Sequence, residues 1–207
     1  MKEKKFTIST ITEIGVFAAI AFALDLLAAG IWRFAFVNGG SISIAILPVL
    51  FVTYRRGTIP GMVCGLIVSI LQMLSGVYVI SGAWYLVLLQ ILLDYVLTYP
   101  LVALAGLLFA VAKRQEKKGS RITFIALGIL FGGLFKFLCH FLAGVIFWSS
   151  SIAWSSFEGM PVLYSLVYNG AYVLPSIIVS AIIFIIIYRI QPSLFRVKGE
   201  YDNEYED

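Results

Sequence analysis

The chain has 207 residues, of which 61% are hydrophobic and 13% charged, and its formal net charge is +4. Soluble domains are on average about 45–50% apolar and about 25% charged, and a mean hydropathy of +0.98 leaves too little polar surface to coat a soluble globule. The composition excludes a soluble domain, a secreted disulfide scaffold, a disordered chain and a nucleic-acid-binding protein. It indicates a membrane protein that crosses the bilayer several times.

The N-terminal half predicts three membrane helices, since a bilayer core about 30 Å thick requires about 20 residues of helix. The first covers residues 11–29, and because no small-residue cleavage site follows the charged N-terminus, we expect a retained span rather than a signal peptide. A polar stretch at 30–41 precedes a second, shorter apolar run at 42–54. A tight basic turn at 55–57 then leads into the third helix at 59–74.

The C-terminal half predicts three longer helices and a charged tail. After a loop at 75–83, the fourth helix covers 84–112 with a kink at Pro100, and a basic loop follows at 113–121. The fifth helix covers 122–148 and is followed by a polar and aromatic segment at 149–160. The sixth helix covers 161–188, and an acidic tail begins at about residue 199. The composition of the tail is typical of a solvated, disordered strip. No internal repeat is visible, so the sequence predicts one membrane domain over residues 1–207.

Basic residues orient these six helices, because loops on the cytoplasmic side of a membrane protein carry an excess of lysine and arginine. With the N-terminus inside, the cytoplasmic segments hold 13 of the 15 lysines and arginines. The other two are Arg33, in an outer loop, and Lys136, inside the fifth helix. The sequence therefore predicts an all-α integral membrane protein, a bundle of six transmembrane helices with both termini cytoplasmic.

Four titratable side chains lie at membrane depth in this topology: Asp25, Asp94, Lys136 and His140. Each costs about 2.5–3.5 kcal/mol on insertion scales and therefore needs a partner or a function. Lys136 and His140 share one face of the fifth helix because they are four residues apart. Glu13 lies near the inner interface, where its side chain can reach the surface.

Aromatic and amide side chains accompany these charges in the outer half of the bundle. They are Tyr95, Trp148, Tyr164 and Asn169. The set suits an aromatic, cationic ligand, because Trp and Tyr rings attract cations and stack on flat rings. Alternatively, these groups hold the helices together, with Asp94 paired with Lys136, His140 bonded to a backbone carbonyl, and the aromatic rings in an interfacial belt.

Enzymatic chemistry has little support in the sequence. One histidine, two unpaired cysteines and no cluster of His, Cys, Asp and Glu argue against a metal site. The chain has no glycine-rich loop with a following lysine to bind the phosphates of ATP. The serine run at 149–151 has no base spaced to activate it. We therefore expect neither an enzyme nor a bound cofactor.

Small residues recur every four positions along the first helix, at Gly15, Ala19 and Ala23. Such spacing lets a second helix approach closely. That second helix belongs either to this chain or to a separate membrane subunit.

Four motifs occur in order along the chain. They are Gly39-Gly40-Ser41-Ile42-Ser43-Ile44 with Pro48 and Arg55-Arg56-Gly57, then Gln90-x3-Asp94-Tyr95, then Lys136-x3-His140-x7-Trp148, and finally Tyr164-x4-Asn169. Together they resemble the signatures of the ThiT family, the thiamine-specific substrate-binding subunits (S components) of energy-coupling factor (ECF) transporters. The resemblance extends from the first helix to the end of the sixth.

The resemblance implies a six-helix protein of the bacterial plasma membrane that captures thiamine from outside for ATP-driven uptake. It also implies protein partners: two cytoplasmic ATPases and a membrane coupling subunit (T component), which would dock on the face of Gly15, Ala19 and Ala23. Two alternatives stay open. One is an S component for another heterocyclic vitamin or a thiamine precursor, and the other is a stand-alone proton-coupled thiamine carrier with Asp94 and His140 as the relay.

The resemblance also assigns ligand contacts by motif. They are Asp94, Tyr95, His140, Trp148, Tyr164 and Asn169, with Lys136 as a supporting neighbour. Trp32, in the loop after the first helix, is implied as a lid, and Tyr78 and Trp84 are further candidates.

The resemblance, together with the chemistry of thiamine, implies a role for each contact. The carboxylate of Asp94 would face the thiazolium or bond the aminopyrimidine, Trp148 and His140 would stack on the rings, and Tyr164 and Asn169 would bond ring edges. Because the outer loops carry a single arginine, they offer no obvious clamp for phosphates, which favours unphosphorylated thiamine as the ligand.

Overall fold

A computed structural model of the chain describes residues 6–80, 82–148, 152 and 154–196. All regular structure among these residues is helical, which confirms the all-α prediction. Residues 1–5, the serine run at 149–151 and the acidic tail from about residue 199 lie outside the described residues.

The described residues form eight α-helices. In order they are α1 (Ile8–Trp32), α2 (Ile46–Arg56), α3 (Thr58–Ser75), α4 (Trp84–Ile91), α5 (Thr98–Val102), α6 (Ala105–Lys113), α7 (Lys118–Phe147) and α8 (Pro161–Ile190). A π-helical turn, Leu92–Val96, joins α4 to α5, and 3-10 turns occur at Ser155–Phe157 and Pro192–Phe195. Helices lie at all six predicted positions, with α4, α5 and α6 together in place of the predicted fourth helix.

Four of these helices, α1, α3, α7 and α8, are long and apolar enough to cross a membrane. The bent pair Trp84–Val96 and Thr98–Lys113 adds a fifth candidate span in the part of the chain that the structure describes. Helix α2 has 11 residues, fewer than the about 20 that a span requires, and its residues 46–54 are buried. The count of six spans and the cytoplasmic position of both termini stay predictions.

The second helix begins at Ile46, so the predicted start at residue 42 was wrong. The backbone before α2 is held in a non-helical path by α8, because the N–H of Ser43 donates to Oγ of Ser176 at 2.9 Å. Gly39 and Gly40 contribute to the same path with φ angles of 89° and 104°, which residues other than glycine rarely adopt. The residues predicted as the first helical turn therefore form an irregular segment instead.

The connection between α6 and α7 is shorter than the predicted loop at 113–121. Helix α7 begins at Lys118, and the guanidinium of Arg121 donates to the carbonyl oxygen of Gln115 at 2.6 and 3.1 Å. This side chain closes the turn between α6 and α7, so the basic residues Lys118 and Arg121 belong to α7.

A bend of 45° interrupts the predicted fourth helix at Leu97, three residues before Pro100. Proline has no N–H for the carbonyl four residues earlier, which here belongs to Val96. Oγ of Ser69, on α3, donates to that carbonyl at 3.2 Å, so a neighbouring helix supplies the missing bond. Just before the bend, the N–H of Leu97 bonds the carbonyl of Leu92 at 3.0 Å, the spacing of a π-helix.

Glycines bring this bent segment into backbone contact with its neighbours. A Cβ at Gly65 of α3 would lie 2.6 Å from the carbonyl oxygen of Tyr99 and from the nitrogen of Pro100. A Cβ at Gly132 of α7 would overlap the carbonyl oxygen of Val102. The backbones of α3, α5 and α7 therefore pack directly together, as small residues permit in membrane bundles.

Glu13 joins two helices at the end of the bundle that is predicted to face the cytoplasm. Its Oε1 accepts from Nη2 of Arg55 at 2.7 Å and of Arg56 at 2.6 Å, and its Oε2 accepts from Nε of both. Arg55 also donates to the carbonyl of Leu194, and Arg56 donates to Oγ of Ser9 at 2.8 Å. Glu13 thus meets paired guanidiniums rather than water, and the ion pairs link α1, α2 and the last 3-10 turn.

The small residues of α1 lie on its exposed face. Gly15, Ala19 and Ala23 are exposed, and no atom lies within 4 Å of a Cβ built at Gly15. Ile14 and Ala18, on the other face, are buried. Packing against the described helices of this chain is therefore not the role of these small residues, and docking to a separate membrane subunit stays a prediction.

Gly65→Ala is expected to lower the free energy of unfolding, because its Cβ would enter the backbone at the bend and overpacking costs about 1–3 kcal/mol. Gly30→Ala is the matched control, since it adds the same methyl group to α1 with nothing within 4 Å. Thermal unfolding of the detergent-purified variants, followed by circular dichroism, measures the difference. Equal melting temperatures for the two variants would contradict the close contact.

Candidate ligand-binding site

A cavity of about 350 Å³ lies between α1, α3, the π-helical turn, α7 and α8. This volume falls in the range of about 300–1,000 Å³ that is common for small-molecule sites. The irregular segment 38–43 before α2 and the end of α3 complete its wall. Aromatic rings, carboxylates, an ammonium group and hydroxyls all reach this one space.

Seven of the ten predicted ligand contacts line the cavity. They are Asp94, Tyr95, Lys136, His140, Trp148, Tyr164 and Asn169. Residues up to 75 positions apart in the sequence thus meet because the π-helical turn, α7 and α8 converge. Whether each of these side chains touches a ligand stays a prediction.

Asp94 connects two of the elements that form the wall. Its Oδ2 accepts from the indole Nε1 of Trp148 at 3.1 Å and lies 3.5 Å from Nε2 of Gln90. Its Oδ1 lies 3.7 Å from Nδ1 of His140. Because Asp94 is part of the π-helical turn, the wider turn carries the carboxylate to α7, and such turns are frequent at functional sites.

The polar groups of α8 form a chain of hydrogen bonds. The hydroxyl of Tyr172 donates to Oδ1 of Asn169 at 2.6 Å, and Nδ2 of Asn169 donates to the carbonyl of Ser165 at 2.9 Å. The ring of Tyr172 also meets the ring of His140 edge-on at 5.8 Å between centroids. These contacts fix the Asn169 amide and place an aromatic wall opposite the imidazole.

A stripe of tyrosines on α8 holds the irregular segment in place. The hydroxyl of Tyr164 accepts from Nδ2 of Asn38 at 3.2 Å. The hydroxyl of Tyr168 accepts from the N–H of Asn38 and donates to the carbonyl of Gly39, each at 3.0 Å. Sequence reasoning selected Tyr164 and missed Tyr168 and Tyr172, although their spacing of four residues puts all three on one helix face.

Tyr78 lies beside the cavity wall rather than in it. Its ring stacks on Trp148 with centroids 5.2 Å apart. The hydroxyl of Tyr95 accepts from the backbone N–H of Tyr78 at 2.9 Å and donates to the carbonyl of Tyr78 at 3.3 Å. Oε1 of Gln90 accepts from the N–H of Ile80 at 2.9 Å. Gln90 and Tyr95, both on the first part of the bent span (Trp84–Val96), thus fasten this loop next to Trp148.

The other two predicted contacts lie away from the cavity wall. Trp32 is half-buried against Phe36, with ring centroids 6.0 Å apart. Trp84 is 74% exposed and contacts Tyr85 at the start of α4. Their roles as a lid and as a ligand contact stay predictions.

A second polar network, missed by the sequence analysis, lines the cavity around Asp25. The hydroxyl of Tyr99 donates to Oδ1 of Asp25 at 2.7 Å, and Nε2 of Gln72 donates to Oδ2. Nζ of Lys136 lies 4.0 Å from the centroid of the Tyr99 ring. Asp25 drew attention as a costly charge at membrane depth, but its partners come from α3 and α5 and share no sequence motif with it.

The alternative interpretation, in which the charges serve only to join helices, fits part of this arrangement. Asp94 and His140 do contact each other across helices. The expected pair of Asp94 and Lys136, however, is replaced by separate networks, since Lys136 lies over Tyr99. Among the described residues, no group of three His, Cys, Asp or Glu side chains could hold a metal ion.

Comparisons with known proteins agree on one family. The family model described as "Thiamine transporter protein (Thia_YuaJ)" matches residues 11–196. A protein named "Thiamine transporter ThiT" from Bacillus subtilis is 29% identical to this chain, over 89% of this chain and 92% of its own length. A protein of the same name from Lacticaseibacillus paracasei is 31% identical, over 91% of this chain and 90% of its own length. A solved structure of ThiT from Listeria monocytogenes is similar with a TM-score of 0.71 and 25% identity, over 92% of this chain and 98% of the other.

Ser176→Ala is expected to loosen the wall formed by segment 38–43, because the N–H of Ser43 would lose its acceptor. Hydrogen–deuterium exchange of the peptide containing Ser43 should become faster. Ser180→Ala is the matched control, one turn further along α8, where the buried hydroxyl has no hydrogen-bond partner among the described residues. Unchanged exchange in Ser176→Ala would show that other contacts hold the segment.

Proposed function

The chain belongs to the thiamine transporter protein family, and we propose that it binds thiamine outside the cell as the S component of an ECF transporter. It is a multi-pass protein of the bacterial cell membrane. The ligand class follows from the family. The mode of transport follows from the motifs that resemble S components and from the character of the cavity.

One observation carries the proposal: the carboxylate of Asp94 lines a cavity together with the rings of Trp148 and His140. Thiamine carries a permanent positive charge on its thiazolium and has two flat heterocyclic rings. A cation at membrane depth is costly unless an anion and aromatic faces stabilise it. This wall supplies both kinds of group within contact distance of each other.

Each polar group of the wall has a role in this proposal. Asp94 stabilises the positive charge or accepts from the aminopyrimidine, while Trp148 and His140 stack on the rings. Tyr164 and Asn169 present hydrogen-bonding groups to the ring edges. Lys136, which lines the same cavity, is a supporting neighbour that donates from the α7 side.

Release of thiamine into the cell requires an energy source outside this chain. The sequence contains no glycine-rich phosphate-binding loop, so ATP is hydrolysed by partner ATPases in this proposal. The membrane coupling subunit docks on the exposed face of Gly15, Ala19 and Ala23, where small side chains allow a helix to approach closely. Both partners are expected from the resemblance to S components.

The identity of the bound ligand distinguishes the proposed thiamine-binding S component from an S component for another vitamin. Equilibrium binding to the purified chain should be saturable and one-to-one with thiamine, whereas riboflavin and biotin should compete weakly. Stronger binding of a thiamine precursor than of thiamine would move the proposal to that ligand.

Trp148→Ala should raise the dissociation constant for thiamine about 5- to 150-fold, because loss of stacking on a flat ring costs on the order of 1–3 kcal/mol. Isothermal titration calorimetry of the detergent-purified variant measures this change without an optical signal. Trp84→Ala is the control, since that tryptophan is exposed and outside the cavity wall. Equal affinities of Trp148→Ala and the unmodified chain would remove Trp148 from the site.

Liposomes that contain this chain alone should bind thiamine and fail to accumulate it, with or without a pH gradient. Co-reconstitution with a coupling subunit and ATPases should give uptake that depends on ATP inside. Accumulation by the chain alone, driven by a pH gradient, would instead establish the proton-coupled carrier.

A further inference from the structure

We propose that Asp25 is the second anion of the cavity and that its charge makes the site selective for a ligand with one positive charge. This inference rests on the proposed thiamine-binding function and concerns the same cavity. It assigns a role in specificity to a side chain on α1, a helix that contributes none of the motif residues.

The position of Asp25 supports a role that goes beyond linking helices. It is half-buried and lines the cavity with Asp94 and Lys136. Tyr99 and Gln72 each donate to one of its two oxygens. Two donors from two other helices thus hold a carboxylate at the cavity wall.

Tyr99 couples this carboxylate to the ammonium group of Lys136. The same phenol ring donates its hydroxyl to Asp25 and presents its face to Nζ of Lys136 at 4.0 Å. Tyr99 is itself buried, with 2% of its surface exposed, so the position of the ring that both groups contact is fixed by packing. Asp25 and Lys136 therefore contact the same ring, Asp25 at its hydroxyl and Lys136 at its face.

The charges of the wall give the reason for the second anion. All of these residues line the cavity; in the proposal Lys136 counts as one positive charge, Asp94 and Asp25 count as one negative charge each, and His140 and the tyrosines count as neutral. With Asp94 and Lys136 alone, the empty cavity would be neutral and a bound cation would leave an excess positive charge at membrane depth. With Asp25 the wall has one negative charge in excess, which a singly charged cation balances.

The same charges disfavour other ligands. A neutral ring compound would leave the excess negative charge unbalanced, and a phosphorylated ligand would add to it. A single carboxylate at Asp94 gives no such preference, because Lys136 already balances it. The charge of Asp25 therefore determines which ligand charge the cavity prefers.

Asp25→Asn tests this assignment because it removes the charge and keeps the shape. The asparagine oxygen can still accept from Tyr99, and the amide of Gln72 can turn to present its oxygen to the new NH₂ group. Dissociation constants are measured by calorimetry for thiamine and for a neutral isostere in which an uncharged aromatic ring replaces the thiazolium. The ratio of the isostere constant to the thiamine constant reports the preference for charge.

The ratio is expected to fall on the order of tenfold in Asp25→Asn, since one unit charge within about 10 Å changes binding by that factor at an effective dielectric constant of about 20. Lys136→Met should raise the ratio, and the double variant should return it toward the unmodified value because the net charge of the wall is restored. Tyr99→Phe is the structural control. It breaks the hydrogen bond to Asp25 without changing any charge, so both affinities should change together and the ratio should hold.

If the role of Asp25 is purely structural, Asp25→Asn weakens the binding of both ligands by the same factor and leaves the ratio of their dissociation constants unchanged. That result would overturn the inference. A ratio in the double variant as low as in Asp25→Asn alone would also overturn it. If Asp25→Asn does not fold, Lys136→Met decides, since an unchanged or lowered ratio there contradicts the charge count. Failure of the unmodified chain to bind thiamine overturns the proposed function itself, whereas an unmoved ratio in a chain that binds thiamine overturns this inference alone.

Discussion

The cavity depends on one backbone defect in the bent span. The carbonyl of Val96 cannot receive a hydrogen bond from Pro100, and within a bilayer an unsatisfied backbone group costs several kcal/mol. Ser69 satisfies it from α3, and Gly65 and Gly132 allow the flanking backbones to close on the bend. The bend leaves Asp94 and Tyr99 on the cavity wall, one just before it and the other just after it. The geometry of the cavity wall is therefore a consequence of how the helices tolerate a proline.

Hydrophobic runs, helix breakers and basic loops were enough to predict six helical positions, because burial in lipid leaves few alternatives for an apolar chain. They were not enough to predict where α2 begins. Residues 42–45 continue the apolar run of α2, but the backbone N–H of Ser43 donates to the side chain of Ser176, more than 130 positions away. Helix boundaries decided by such distant side chains cannot be obtained from local pattern.

The same distinction applies to the site. Side chains that belong to motifs, such as Asp94, His140 and Asn169, were predicted to meet and do line one cavity. Asp25 stood out as a charge in an apolar run, yet its partnership with Gln72 and Tyr99 comes from the packing of α1, α3 and α5. Trp32 and Trp84 are candidates from the resemblance alone; the structure puts them against Phe36 and at an exposed helix start, and their roles stay predictions. Residue chemistry thus identified candidates, and helix packing decides which of them line the cavity.

The ion pairs of Glu13 have a mechanical consequence for the whole bundle. Since one carboxylate joins two guanidiniums, α1 cannot tilt against α2 without breaking four charge-assisted hydrogen bonds. At the other end of α1, segment 38–43 is held by bonds between neutral groups, which are about half as strong. We therefore expect the bundle to resist deformation more strongly at the Glu13 end than at segment 38–43. Because segment 38–43 is part of the cavity wall, the wall is bounded on that side by the more weakly bonded end of the bundle.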